Sequence, residues 1–285
     1  MSHLPIHSFF DPETATFSYI IHDPETKVAA IVDPVLNYDP CTGKITTTTA
    51  DQLISYLDQH SLTLEWILET HIHADHLTAA HYLKEKVGGK IGIGSGIHQV
   101  LSHWVPVFNI THDTPLDGSQ FDCLFEDNAT FALGNLTVTV LHTPGHTPSC
   151  ICYWVGDALF VGDLLLMPDI GTARADFPGG DAQTLFQSIQ RIFTLPDDTR
   201  IFVCHDYPPA SRPLQGHTTI AEQKEQNVLI NHRISEVDFI KMRNERDRGK
   251  PVPKLMYPSL QINLRGGCLG QVENNGYHYL KIPIS

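Results

Sequence analysis

Positive charge is scarce in this chain. Against 32 aspartates and glutamates stand only 19 lysines and arginines, a net charge of −13 over 285 residues. No basic arm is present, which argues against nucleic acid or an anionic membrane as partner, because both are bound by clustered Lys and Arg. Long apolar runs are missing as well, and none approaches the roughly 20 residues of a membrane span. The opening stretch Met1 to His7 has no charged segment followed by an apolar one, so no export signal is read. The six cysteines (Cys41, Cys123, Cys150, Cys152, Cys204, Cys268) show no zinc-knuckle spacing. They read as unpaired thiols, which suits a reducing cytoplasm. Low-complexity segments are absent, and no short repeat is seen beyond two similar halves. What is plentiful is apolar content, 41%, and histidine, 17 residues. The first allows a sizeable core. The second matters only where histidines converge.

They converge at Thr70-His71-Ile72-His73-Ala74-Asp75-His76, directly after the apolar run Leu64-Glu65-Trp66-Ile67-Leu68. Burying unpaired imidazoles and a carboxylate costs several kcal/mol, and a metal ion would remove that cost. His71 and His73 are two apart, so on an extended segment they point the same way and can share one ion. Leu77, Ala80, Leu83 and Val87 recur at helical spacing and predict a helix over 77–87, stopped by Gly88-Gly89. The block reads as strand, metal-binding loop, helix. A solvated polar loop is the alternative, and the density of ligands weighs against it.

The rest of the chain reads as alternating short strands and helices. A hairpin is expected from Phe17, Tyr19 and Ile21 back through Val28, Ala30 and Val32, then a helix over 50–59. A strand around Ile91 and Ile93 precedes a helix marked by Ile97, Val100, Leu101, Trp104 and Val105. Gly134-Asn135 signals a hairpin turn, and Gly156-Asp157 a second. Asp181 is a helix N-cap, with Leu185, Ile189 and Ile192 on one face. Helices are expected over 220–230 and from Ser235, with Asp238 as its capping-box partner, toward Gly249. The charged face of the latter (Lys241, Arg243, Glu245, Arg246) reads as solvated surface. Residues 250–285 read as short extended pieces packed on the main domain.

His71, His142, Asp163 and His205 each follow an aliphatic run, so four strands deliver a potential ligand at the same end. Any one alone would be an ordinary turn or cap residue. Together with the histidine block they resemble the metallo-β-lactamase superfamily. That resemblance implies an α+β fold, a four-layer αββα sandwich over residues 1–217 with a C-terminal helical and irregular extension over 218–285. It places one metal site at His71, His73, His142 and Asp163, and a second at Asp75, His76, Asp163 and His205.

A narrower resemblance rests on the histidine block, His142-Thr-Pro-Gly-His146-Thr147, Arg174-Ala-Asp-Phe177 and His205-Asp-Tyr207. These are similar to the persulfide dioxygenases of the ethylmalonic-encephalopathy protein type. Gly171 to Gly180 and Thr218 to Asn227 look closer still to the bacterial β-lactamase-hydrolase-like branch. The loop between Asp163 and Arg174 is longer than in the mitochondrial enzymes, and no rhodanese-like module is seen. The resemblance implies one Fe(II) per chain on His71, His142 and Asp163, with His73 close by, and oxidation of glutathione persulfide by O2 to sulfite and glutathione. Asp75, His76, His205 and Tyr207 are then the expected catalytic surroundings. Arg174 and Arg265, with the Tyr207 hydroxyl, are the expected substrate-binding groups, since Arg pairs with carboxylates through two hydrogen bonds. For each Arg the alternative is a surface ion pair. Cys150, Cys152 and Cys204 read as structural thiols. A cytoplasmic enzyme is expected, and a homodimer is left open. The rival reading is a hydrolase of glutathione thioesters with one or two Zn(II), of the glyoxalase II kind. A lactamase is disfavoured by the missing export signal, and a non-catalytic sensor by the intact ligand set.

Overall fold

A computed structural model describes residues 3–284. Met1 and Ser2, which begin the stretch read for an export signal, lie outside the described residues, as does Ser285. Strand β1 (Ile6–Asp11) pairs with β2 (Thr16–His22), which turns into β3 (Val28–Val32). A small hairpin, β4 (Val35–Asp39) and β5 (Lys44–Thr46), leads into helix α1 (Thr48–Gln59). Strand β6 (Thr63–Leu68) runs into the histidine block, and the two-residue β7 (Leu77–Thr78) follows it. The half closes with α2 (Ala80–Val87), β8 (Lys90–Gly94), α3 (Ile97–Phe108) and β9 (Cys123–Phe125).

The second half begins with β10 (Thr130–Leu133), β11 (Leu136–His142), β12 (Ile151–Val155) and β13 (Ala158–Phe160). Helix α4 (Ala182–Ile192) precedes β14 (Arg200–Phe202) and β15 (His217–Thr219). Helices α5 (Ile220–Gln226), α6 (Glu236–Asp247) and α7 (Met256–Asn263) end the described secondary structure. None of these helices is long and apolar enough to cross a membrane.

Two six-stranded sheets result, ordered β1-β2-β3-β6-β8-β9 and β10-β11-β12-β13-β14-β15, with β5-β4-β7 as a small third. Three apolar clusters separate the layers. Phe17, Tyr19, Ile21 and Trp66 meet Val140, Tyr153, Phe160 and Phe202 between the sheets. Ile20, Ile31 and Ile67 face the α1, α2, α3 and α7 side, while Leu159 and Ile201 face α4 and α6. This is the expected αββα sandwich. Alternation in β2 and β3 therefore does not separate buried from exposed positions, because both faces of a middle layer are covered.

The differences have local causes. The helix expected from Leu77 starts at Ala80, since Leu77 and Thr78 pair with Leu36 and Val35. The helix expected to reach residue 230 ends at Gln226, because the Asn227 side chain captures the amides of Leu229 and Ile230. Ser235 does cap α6, but the Asp238 carboxylate takes the Ser235 hydroxyl rather than its amide. The full capping box lies at Thr219 and Glu222. Arg243, read as surface, is buried in a fork with Asp247 and also donates to Thr172 O. Residues 256–263, read as extended, form α7. Its proline, Pro258, sits in the first turn, where a missing N–H breaks no intrahelical bond. The division expected at 217/218 falls inside β15, an edge strand of the second sheet.

Candidate metal centre

Both sheets end their strands at one edge, and two glycines let the loops there close on each other. Gly145 has φ +141°, and a Cβ there would lie 2.3 Å from Leu185 Cα. Gly162 has φ +52°, and its Cβ would lie 2.4 Å from Thr70 Oγ1. The first turn delivers His146, and the second delivers Asp163, against the histidine block. Ile151 N donates to Thr70 O and Tyr153 Oη to Glu69 O, which ties the second sheet to the loop.

His71, His146 and Asp163 each offer a ligand atom within 4.8 Å of the others, and so do His73, Asp75, His76 and His205. Asp163 Oδ2 is 3.9 Å from His71 Nε2 and 3.4 Å from His146 Nε2, while Asp163 Oδ1 is 3.5 Å from His205 Nε2. Asp163 thus stands between the two groups.

Each imidazole is aimed by a hydrogen bond on its far nitrogen. His71 Nδ1 donates to Thr70 Oγ1, which in turn donates to Asp33 Oδ2. His146 Nδ1 donates to Arg174 O at 2.7 Å and His205 Nδ1 to Ala15 O at 3.1 Å. His76 Nδ1 sits 3.3 Å from Asp75 Oδ1. All four therefore present Nε2 to the centre. His73 is reversed: Nε2 donates to Asp33 Oδ1 at 3.0 Å and Nδ1 is left over. Among the described residues the buried polar atoms without a hydrogen-bond partner include His73 Nδ1, His76 Nε2, Asp163 Oδ1 and His205 Nε2. Four orphaned donor atoms at one place are costly unless an ion takes them, so the residues fit a metal.

Electrostatics follow from burial and neighbours. Burial, with His73 and His146 beside it, holds His71 well below the usual imidazole range and keeps it neutral, the form a ligand needs. Burial also pushes His73 down, but the Asp33 carboxylate outweighs it and holds His73 well up. Burial works against the charged forms of Asp75 and His205, yet their mutual attraction at 3.0 Å lowers Asp75 and raises His205.

The expected site residues divide. His71, His73, Asp75, His76, Asp163 and His205 come together. Tyr207 stands half-exposed beside them, its ring stacked 6.0 Å from His205. His142 does not join. It is still part of β11, paired with Ile151, and its Nε2 bonds Phe125 O at 2.8 Å. His146, four residues on and past the Gly145 turn, takes the place expected of His142. Arg265 is buried away from the centre, pairing with Asp113 and donating to Gln261 O. Arg174 does line the cavity, but four of its five N–H groups are committed. Asp176 takes two, and the carbonyls of Lys250 and Pro251 one each. Its charge is already met, so it is not the unpaired cation that was expected. Cys150 and Cys152 are buried, their thiols pushed up to about 12 by desolvation.

Two residues were missed. Asp33 follows β3 in an Asp-Pro pair, the form of an ordinary strand terminator, which hides its role as the partner of His73 and Thr70. Asn263 had no signal at all: from α7 it donates to His73 O and His76 O and accepts from Thr78 N.

The cavity over the centre has a volume of about 1000 Å³. Asp75, His146, Asp163, His205 and Tyr207 form its floor and near wall.

These features define a metal-binding member of a known class: the chain belongs to the metallo-β-lactamase superfamily, whose family profile matches residues 12–205. Among its relatives, Glyoxylase B2 of Dictyostelium discoideum is 48% identical over 282 residues, covering 98% of this chain and 97% of that one. The mitochondrial persulfide dioxygenase ETHE1 of Homo sapiens is 30% identical over 249 residues, 86% of this chain and 83% of its own. The crystal structure of ETHE1 from Myxococcus xanthus superposes with a TM-score of 0.74 at 30% identity, covering 93% of this chain and all of that one. Bacterial β-lactamase hydrolase-like proteins are relatives too.

Proposed function

We propose that this protein is a non-haem iron persulfide dioxygenase that oxidises glutathione persulfide with O2 to sulfite and glutathione. The observation that supports this most is the set His71, His146 and Asp163: two imidazoles and one carboxylate converging from one side, open to a cavity on the other. That is the donor set of the non-haem Fe(II) oxygenases. Bound there, Fe(II) would supply adjacent open positions where a sulfur ligand and O2 can meet.

The chain's own residues do the rest. Thr70 and the Arg174 carbonyl fix the His71 and His146 rings. Asp75 Oδ2 and His205 Nε2, 3.0 Å apart at the cavity floor, form a pair that can take up or release a proton. The Tyr207 phenol, pushed up to about 12 by partial desolvation, stays neutral and can donate a hydrogen bond to a substrate oxygen or sulfur. Phe177 packs edge-on against His146, 5.3 Å between ring centres, and shields that side from water.

A second reading has an observation of its own. Asp75, His76, His205 and Asp163 Oδ1 would complete a second ion site, as a dinuclear zinc hydrolase of glutathione thioesters requires. The name of the Dictyostelium relative points the same way. Elemental analysis of protein made under iron-replete, reducing conditions separates the two. The expected result is about one iron per chain, with oxygen uptake and sulfite formation on glutathione persulfide. Two zincs per chain, with thioester cleavage and no oxygen uptake, would replace this reading by the hydrolase.

A further inference from the structure

A second, much smaller cavity lies behind Phe177. Its volume is about 20 Å³, room for one small molecule. Ala74, His146 and Phe177 line both cavities, so the two share a wall at the metal centre. Thr147 apart, the rest of the small one is apolar. Val100 and Trp104 come from one face of α3, Leu260 from α7 and Ile72 from the histidine block, while Pro178 follows Phe177. Ile72, Val100 and Leu260 are buried and Trp104 is half-buried, so the Trp104 end is the one nearest solvent.

The polar side chains at this small cavity are committed elsewhere. His146 Nδ1 donates to Arg174 O, and its Nε2 faces Asp163 at 3.4 Å. Thr147 Oγ1 lies 3.1 Å from Cys150 Sγ and 3.2 Å from Ser149 Oγ. Among these side chains a water would have at most the Trp104 indole N–H to bond, short of the roughly two to four polar partners that hold a buried water. Apolar cavities of this kind stay dry and take apolar guests. The main cavity is the opposite, with Asp11, Glu13, Asp39, Lys44 and Lys254 in its lining. We propose that the small cavity is a binding site for O2, an apolar diatomic, from which it passes His146 and Phe177 to the metal centre while the main cavity holds the sulfur substrate. This rests on the dioxygenase reading. Apolar walls favour an apolar gas over water, and two separate approaches let both reactants arrive without one blocking the other.

Two measurements on the metal-loaded protein test this. Crystals of the wild type pressurised with xenon, a probe for dry apolar cavities, should show an atom between Trp104 and Phe177. Initial rates are then followed against O2 concentration at saturating glutathione persulfide. Val100→Phe and Leu260→Phe, which fill the cavity from different helices, should each lower kcat/KM for O2 about tenfold through KM. The kcat at saturating O2, the KM for the persulfide and the metal content should hold. Val107→Phe, at an exposed valine of α3, is the control and should behave as wild type. Unchanged O2 kinetics in both filled variants, or a KM for the persulfide that rises as much as that for O2, would overturn the assignment. So would wild-type crystals without xenon in the cavity, a result that does not depend on the variants folding. Oxygen uptake by the wild type with either of those outcomes removes the O2 site alone. Xenon in the cavity of a protein that takes up no oxygen on the persulfide removes the dioxygenase reading, and the O2 site falls with it.

Discussion

His142 and His146 are four residues apart in one turn and differ in everything that matters for coordination. His142 spends its Nε2 on the Phe125 carbonyl, while His146 spends Nδ1 on the Arg174 carbonyl and keeps Nε2 for the centre. His146→Ala should therefore lose most of the bound metal, whereas His142→Ala should keep it and lose roughly 1 kcal/mol of stability with its hydrogen bond. Elemental analysis and denaturant unfolding of the two variants check this, and equal metal loss would return the ligand role to His142. The sequence put both histidines in the same motif. Strand register decides between them, and the end of β11 is set by pairing with β12 rather than by any property of the six residues 142–147.

At the scale of elements, most strands and helices were legible because turn residues bound them: Gly134-Asn135, Gly156-Asp157 and the Asp181 cap all stand where expected. The histidine block was legible because its ligand density has no apolar explanation. Helix α7 was not, since it buries Ser259, Gln261 and Asn263 along with its apolar residues, so no apolar stripe marks it, and it starts beside prolines that read as breaks. Arg243 was misread for a related reason: a charged residue on a helix reads as solvated unless its partner, here Asp247 one turn on, is seen buried with it. The cost of missing α7 is Asn263. Asn263→Ala would leave His73 O, His76 O and Thr78 N buried without partners, a loss of about 2–4 kcal/mol. It should also weaken metal retention about 10–100-fold, as loss of groups supporting ligands does. Chelator competition measures the second effect. Unaltered retention would make Asn263 a packing residue only.

At the scale of the whole molecule, the three apolar layers hold the two sheets, while polar ties fix their edges. One tie is Asp157, at the β12–β13 turn, which accepts from both Arg200 Nε and Nη2 and from Leu4 N. Partial burial pushes its carboxyl up, but Arg200 and His3 outweigh this and hold it well below the usual carboxylate range. A carboxyl depressed by folding contributes stability that is present above its unfolded pKa of about 3.9 and fades as the pH falls through the lower folded value. Asp157→Asn should thus cost roughly 1 kcal/mol at neutral pH, and the two proteins should converge in strong acid. Denaturant midpoints across the acid range test this, and a constant difference would assign the loss to packing.

The clamp that Asn263 places on the histidine block also has a consequence in time. A chain leaves the ribosome from its N-terminal end, so every donor from His71 to His205 is synthesised before residue 263. Until α7 emerges and docks, the carbonyls of His73 and His76 lack the partner that holds the block in shape. Ion capture by the nascent chain is therefore disfavoured until the polypeptide is nearly complete, and loading becomes a late step. A chain cut just before Met256 would carry all seven donors and still hold its ion poorly.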